Sequence, residues 1–190
     1  MSTQSTQDQH YAGIDFRTNG FERGEYDNCT FNSCTLASVS LTGSTFIECQ
    51  FINCDLSMAI LQDASFRDVT FRNCKILGAR FDECSKFLLA FRFESCIINF
   101  ASFYRLKLKG TSFKDCKLQE AEFIETDLTN AKFDDCDLLG ARFENTLLEG
   151  ADFRAAYNYS MDPERNHLTK AKFSLSGVVG LLDKYKIKIE

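Results

Sequence analysis

Residues 113–133 read FKDCKLQEAEFIETDLTNAKF. Phe113, Leu118, Phe123, Leu128 and Phe133 recur every five residues. Cys116, Ala121 and Ala131 stand two places before Leu118, Phe123 and Phe133. The same large apolar position can be followed outward in both directions. Toward the amino terminus it runs from Phe16 through Phe21, Tyr26, Phe31 and on to Phe81; after a break it resumes at Phe93 and continues to Phe153. Sixteen of the 19 Phe fall on this grid, counting Phe173 one coil beyond Phe153. A period of five matches neither the 3.6 of a helix nor the 2 of a strand. It requires a backbone that turns a corner every five residues, with one large and one small side chain directed inward on each side.

A second period lies on top of the first. Every fourth grid position gives Phe31, Phe51, Phe71, Phe93, Phe113, Phe133, Phe153 and Phe173. Residues about 20 apart therefore stack. Hydrogen-bonded rungs lie ~4.8 Å apart, within the ~4.5–7 Å that favours aromatic pairs. Each buried Phe contributes ~1.5–3 kcal/mol of transfer free energy, and stability accumulates coil by coil.

Units such as Ala-Lys-Phe-Asp-Asp (131–135), Cys-Asp-Leu-Leu-Gly (136–140) and Ala-Asp-Phe-Arg-Ala (151–155) resemble the pentapeptide-repeat family. The resemblance spans residues 14–173. It implies an all-β fold, a right-handed quadrilateral parallel β-helix with four sides of five residues per coil, closed by a short C-terminal capping helix.

Departures from the grid mark the remaining organisation. Residues 1–13 are polar and read as a disordered tail. Between Phe81 and Phe93 lie two residues more than the grid allows, so 82–92 (DECSKFLLAFR) is expected to bulge, with Lys86, Phe87, Leu88 and Leu89 either tucked back over a neighbouring coil or offered to a partner. Asn158 and Pro163 interrupt the grid, which predicts a loop over 155–167 replacing two sides of a coil. Beyond 174, Val178, Val179, Leu181, Leu182 and Tyr185 form a helical stripe, and the alternation of Ile187 and Ile189 predicts a strand. Residues 174–190 are thus expected to cap the solenoid and to pair two molecules into a homodimer.

Little in the chain points to catalysis. The nine cysteines fall on the small inward position, where thiols pack as small apolar groups. His10 and His167 are the only histidines, and no phosphate loop or zinc spacing accompanies them. The expectation is a non-enzymatic protein without cofactor or metal. The amino terminus lacks a secretory pattern, no stretch is long and apolar enough to cross a bilayer, and free thiols fit the cytoplasm. A net charge of −5 disfavours direct nucleic-acid binding.

Charge is banded along the chain. Residues 104–119 carry Arg105, Lys107, Lys109, Lys114 and Lys117 against one Asp. Residues 120–152 carry Glu120, Glu122, Glu125, Asp127, Asp134, Asp135, Asp137, Glu144, Glu149 and Asp152 against Lys132 and Arg142. The stretch Cys-Asp-Leu-Ser-Met-Ala at 54–59, the mid-chain register break and the ending Leu181-Leu182 … Ile187-Lys188-Ile189 are similar to the Qnr-type quinolone-resistance members of the family. That resemblance implies a dimer and an acidic rod that imitates duplex DNA to DNA gyrase or topoisomerase IV. The alternative is a structural or protein-interaction solenoid with another cytoplasmic partner.

Overall fold

The computed structural model describes residues 4–188. Its described strands are β1 (Gln4–Gln7), β2 (His10–Ala12), β3 (Gly24–Asp27), β4 (Thr30–Asn32), β5 (Thr45–Ile47), β6 (Gln50–Ile52), β7 (Ser65–Arg67), β8 (Val69–Arg72), β9 (Phe91–Glu94), β10 (Ser112–Lys114) and β11 (Lys132–Asp134). All their pairings are parallel. Face one of the solenoid stacks β1, β3, β5 and β7; face two stacks β2, β4, β6, β8, β9, β10 and β11. Faces three and four are ladders of single bridges, such as Asp15–Thr35–Asp55–Lys75 and Arg80–Ser102–Glu122–Arg142. Partners are 20 residues apart before the break, 22 across it and 20 again beyond it. The two extra residues are absorbed without shifting the register.

The backbone turns each corner through a left-handed residue. Asn28, Asn53, Asn73 and Asp115 all have φ between 50° and 54°. Short polar side chains and glycine tolerate this conformation best, because a Cβ crowds the following carbonyl there. This explains why Asn, Asp, Ser and Gly recur between the apolar grid positions.

Inside, the face-two ladder runs from Tyr11 to Phe173. Its ring centroids are 4.7–5.4 Å apart and adjacent rings lie within 16° of parallel. Phe103, Phe123 and Phe143 repeat the arrangement on face four at 5.0 and 5.1 Å. The inner rings are almost wholly buried.

Three expectations are corrected. Part of the segment read as a disordered tail is ordered: β1 and β2 pair with β3 and β4 because Tyr11 stacks on Phe31 at 4.8 Å and extends the ladder by one rung. The irregular stretch near 155–167 replaces one side of a coil, not two. Tyr157 still bridges Asp137 and His167 still bridges Leu147, while buried Tyr159 and Met161 take over the inward role between them. The C-terminal helix is two short 3₁₀ turns, Gly177–Leu181 and Asp183–Tyr185. Lys186 then turns left-handed at φ 51°, and no strand forms at Ile187 among the described residues. Ile189 lies outside them.

Candidate interaction surfaces

The bulge is built on the fifth coil. Ser85 N–H donates to Ala64 O at 2.8 Å and Ala90 N–H to Phe66 O at 2.9 Å, and the chain between them leaves the ladder. Phe87 and Leu88 are consequently 66% and 62% exposed, while Leu89 packs back against the core. The Arg67 guanidinium lies 5.4 Å from the centre of the Phe87 ring, and Lys86 Nζ donates to Arg105 O at 3.4 Å. With Leu88 turned outward, the interior of that coil lacks its large residue from face one. Phe91 fills the space from the position that holds Cys29, Cys49 and Ala131 on other coils of face two. Its ring sits 5.2 Å from Phe81 and 5.1 Å from Phe93.

A second apolar feature escaped the sequence reading. Met58 and Phe100 occupy left-handed corners between faces three and four, at φ 56° and 62°, and both are exposed. Bulky residues are uncommon in that conformation. The available signal was two large apolar residues standing at corner positions that Asn, Ser and Gly usually fill.

The ten acidic residues do not converge. Glu122 pairs with Arg142, Glu125 with Arg105, Asp127 with Lys109, Glu144 with Arg165 and Asp152 with Arg154. Arg154 holds the Asp152 carboxyl at about 2. Asp137 is buried. Burial pushes its carboxyl up, but hydrogen bonds from Asn158 and Gln119 outweigh this and hold it below the usual range. Among the described residues, Glu120, Asp134, Asp135 and Glu149 have no ion pair. They are distributed around the rod: Asp134 on face two, Glu149 on face one, Asp135 and Glu120 at two different corners.

The C-terminal segment covers the last coil. Gly180 packs directly on the Tyr159 backbone, and its carbonyl accepts from Met161 N–H at 3.1 Å. Lys184 Nζ reaches Asp162 at 2.7 Å and Glu164 at 2.8 Å, and Tyr185 OH donates to Glu164 at 3.1 Å. Leu181 and Leu182 are half-buried; Val178, Val179, Tyr185 and Ile187 remain exposed.

The nine cysteines are free and buried. Cys34, Cys54, Cys74, Cys96, Cys116 and Cys136 form one column on face three, whose thiols point at carbonyls, as Cys54 does to Phe31 O and Cys74 to Phe51 O at 3.3 Å. Burial pushes the Cys49 thiol up to about 12 and raises Cys84 as well. No group of His, Cys, Asp and Glu with metal-binding geometry occurs among the described residues, and no helix there is long and apolar enough to cross a membrane.

No curated protein matches the chain. Among solved structures, a trypsin-treated variant of QnrB1, a plasmid-mediated fluoroquinolone resistance protein, is 21% identical over 98% of this chain and 100% of that one, with a TM-score of 0.50. Full-length QnrB1 is 20% identical over 97% and 100%, with a TM-score of 0.41. HetL, a pentapeptide repeat protein involved in heterocyst differentiation regulation in the cyanobacterium Nostoc, is 16% identical over 91% and 87%, with a TM-score of 0.44. At 21% identity the likeness to the QnrB1 variant is one of fold. The family model for the pentapeptide repeat region matches residues 24–92 and 80–153, and with the five-residue grid, the parallel ladders and the stacked phenyl spine, this chain belongs to the pentapeptide-repeat proteins.

Proposed function

We propose that this chain is a non-catalytic binding protein that recognises a protein partner through its outer surface. The observation that carries this reading is the bulge, where Phe87 and Leu88 stand clear of an otherwise filled and regular core. Exposed apolar side chains on a polar rod mark contact sites. The rod's reduced, buried thiols suit a reducing compartment such as the cytoplasm.

The first partner to test is a type II topoisomerase. Unpaired carboxylates at Glu120, Asp134, Asp135 and Glu149 give a rigid rod acidic points that a groove built for phosphates can accept. The fluoroquinolone-resistance function of QnrB1 supplies the assay. At micromolar concentration the protein is expected to inhibit DNA gyrase supercoiling, or to restore supercoiling in the presence of a fluoroquinolone. Absence of both effects with gyrase and with topoisomerase IV overturns this partner and leaves the interaction solenoid with a different one.

The C-terminal segment is proposed to join two molecules tail to tail. Val178, Val179, Tyr185 and Ile187 expose apolar surface beside half-buried Leu182, on a segment clamped to the rod by Lys184. Such a patch at a solenoid end is suited to a two-fold contact.

A further inference from the structure

Face one is broken at the fifth coil. β7 is the last strand of its sheet, and the face resumes only as the bridges Lys107–Asp127–Leu147–His167. Elsewhere on this face the backbone groups are paired between coils. Glu48 N–H donates to Arg67 O at 2.9 Å, Leu128 N–H to Leu147 O and Asn130 N–H to Glu149 O at 2.8 Å. At the break the equivalent groups are unmatched. Among the described residues, the N–H groups of Phe66, Asp68 and Lys107 and the carbonyls of Lys107 and Lys109 make no hydrogen bond. In the register of the other coils all five point at coil five. Residues 86–89 do not meet them, because that segment loops outside the sheet between Ser85 and Ala90. The result is an open sheet edge on each side of a one-strand interval, an arrangement that recruits an added strand.

The side chains around the interval are cationic. Asp68, Leu89, Arg92, Lys107 and Lys109 line a common hollow of about 200 Å³. Arg67 lies under Phe87, and Lys86 crosses toward the next coil at Arg105 O. The local anions are already engaged: Asp68 with Arg92 at 2.9 Å and Asp127 with Lys109 at 3.4 Å. Arg67, Lys86 and Lys107 remain as uncompensated positive charge beside the exposed apolar pair Phe87 and Leu88.

We propose that an acidic, extended peptide segment of a partner protein docks at this interruption. Its main chain pairs with the free groups of Phe66, Asp68, Lys107 and Lys109, and its carboxylates meet Lys86, Lys107 and Arg67. The two unmatched carbonyls decide between classes of polyanion. They require N–H donors, which an extended peptide presents along its length and a phosphodiester backbone does not. This inference rests on the reading of the bulge as a protein contact, and it gives a place to the basic belt that the acidic-rod reading leaves unused.

The test uses the full chain and three fluorescein-labelled octapeptides: four Glu-Val repeats, four Glu-Pro repeats and four Lys-Val repeats. The Glu-Val peptide is expected to bind in fluorescence anisotropy. The Glu-Pro peptide carries the same charge but lacks half the N–H donors, and should bind about tenfold or more weakly; the Lys-Val peptide should not bind. Lys107→Glu combined with Lys109→Glu, both at exposed side chains, should weaken Glu-Val binding by a similar factor. Amide exchange at Phe66 and Asp68 should slow when the Glu-Val peptide is present. Equal binding of Glu-Val and Glu-Pro, tighter binding of a labelled oligo-dT, unchanged exchange at Phe66 and Asp68, or no binding at all would each overturn the proposal. Failure of the wild type to bind the Glu-Val peptide with topoisomerase inhibition intact refutes strand docking and leaves the binding reading standing; failure of both removes strand docking and the topoisomerase partner together.

Discussion

Phe91 lies 5.2 Å from Phe81 although it occupies the small inward position of its face. It is there because Leu88 points outward, and the phenyl ring fills the room that Leu88 vacates. The bulge and the core beneath it are therefore one packing solution. Phe91→Ala should cost ~3–5 kcal/mol, as for other buried Phe truncations. Phe87→Ala, at an exposed ring, should change stability by ~0.5 kcal/mol or less. Chemical denaturation of both variants checks the contrast. Equal losses would show that Phe91 is not the inward substitute.

The cap depends on two close backbone approaches. A Cβ at Gly180 would collide with the Tyr159 carbonyl, and one at Gly177 would collide with the Tyr159 hydroxyl. Gly180→Ala should destabilise by ~1–3 kcal/mol through overpacking against backbone. Gly110→Ala serves as a control of a different kind: a Cβ there meets nothing within 4 Å, so only the cost of φ 68° applies. Thermal unfolding, with exchange at Met161 N–H as a local probe, separates loss of the cap from general weakening.

Acid should weaken the C-terminal end. Lys184 holds Asp162 and Glu164 below the usual carboxylate range, and Arg154 holds Asp152 at about 2. Groups with depressed folded values stabilise the fold above their ordinary values of about 4 and lose that contribution as pH falls through the folded ones. Stability should therefore decline between about pH 4 and pH 2. Lys184→Met should flatten part of the decline. Denaturation midpoints across this range, with carboxyl NMR titration of Asp152, test the direction.

The thiols should be inert in the folded protein. All nine are buried, out of reach of a reagent in water, and burial raises the Cys49 thiol to about 12. A thiol-specific reagent should label essentially none of the cysteines in native buffer and all nine after denaturation. Rapid native labelling of any of them would contradict a dry, closed interior.

Dimerisation is read by light scattering. Wild type should scatter as a dimer, while Val179→Asp and Ile187→Asp should shift it to monomer with little loss of thermal stability, since both side chains are exposed. A monomeric wild type would remove the tail-to-tail contact.

The fold was legible because each inward side chain meets its own equivalent about 20 residues away. Phe113 packs on Phe133 at 5.0 Å, and that contact is written as a spacing in the chain. The sites were less legible. A local count located the two-residue excess near Phe87 but could not say that Phe91 would take over the interior, nor that Met58 and Phe100 would share a corner. The five-residue grid already spreads the acidic run 120–152 over all four sides, but it does not show the ion pairs. Winding the run around four faces sends Asp134, Asp135, Glu120 and Glu149 in different directions and pairs others with basic residues from neighbouring coils.

The solenoid, its register and its filled spine followed from periodicity alone, because stacking between adjacent coils is a local, repeated interaction. The bulge on coil five showed in the sequence only as two surplus residues. Tertiary structure decided what that surplus became: an outward Phe87, an inward Phe91 and a sheet face left open between β7 and Lys107. Those outcomes depend on which of several neighbouring coils offers space, charge and hydrogen-bond partners, and no spacing along the chain records that competition.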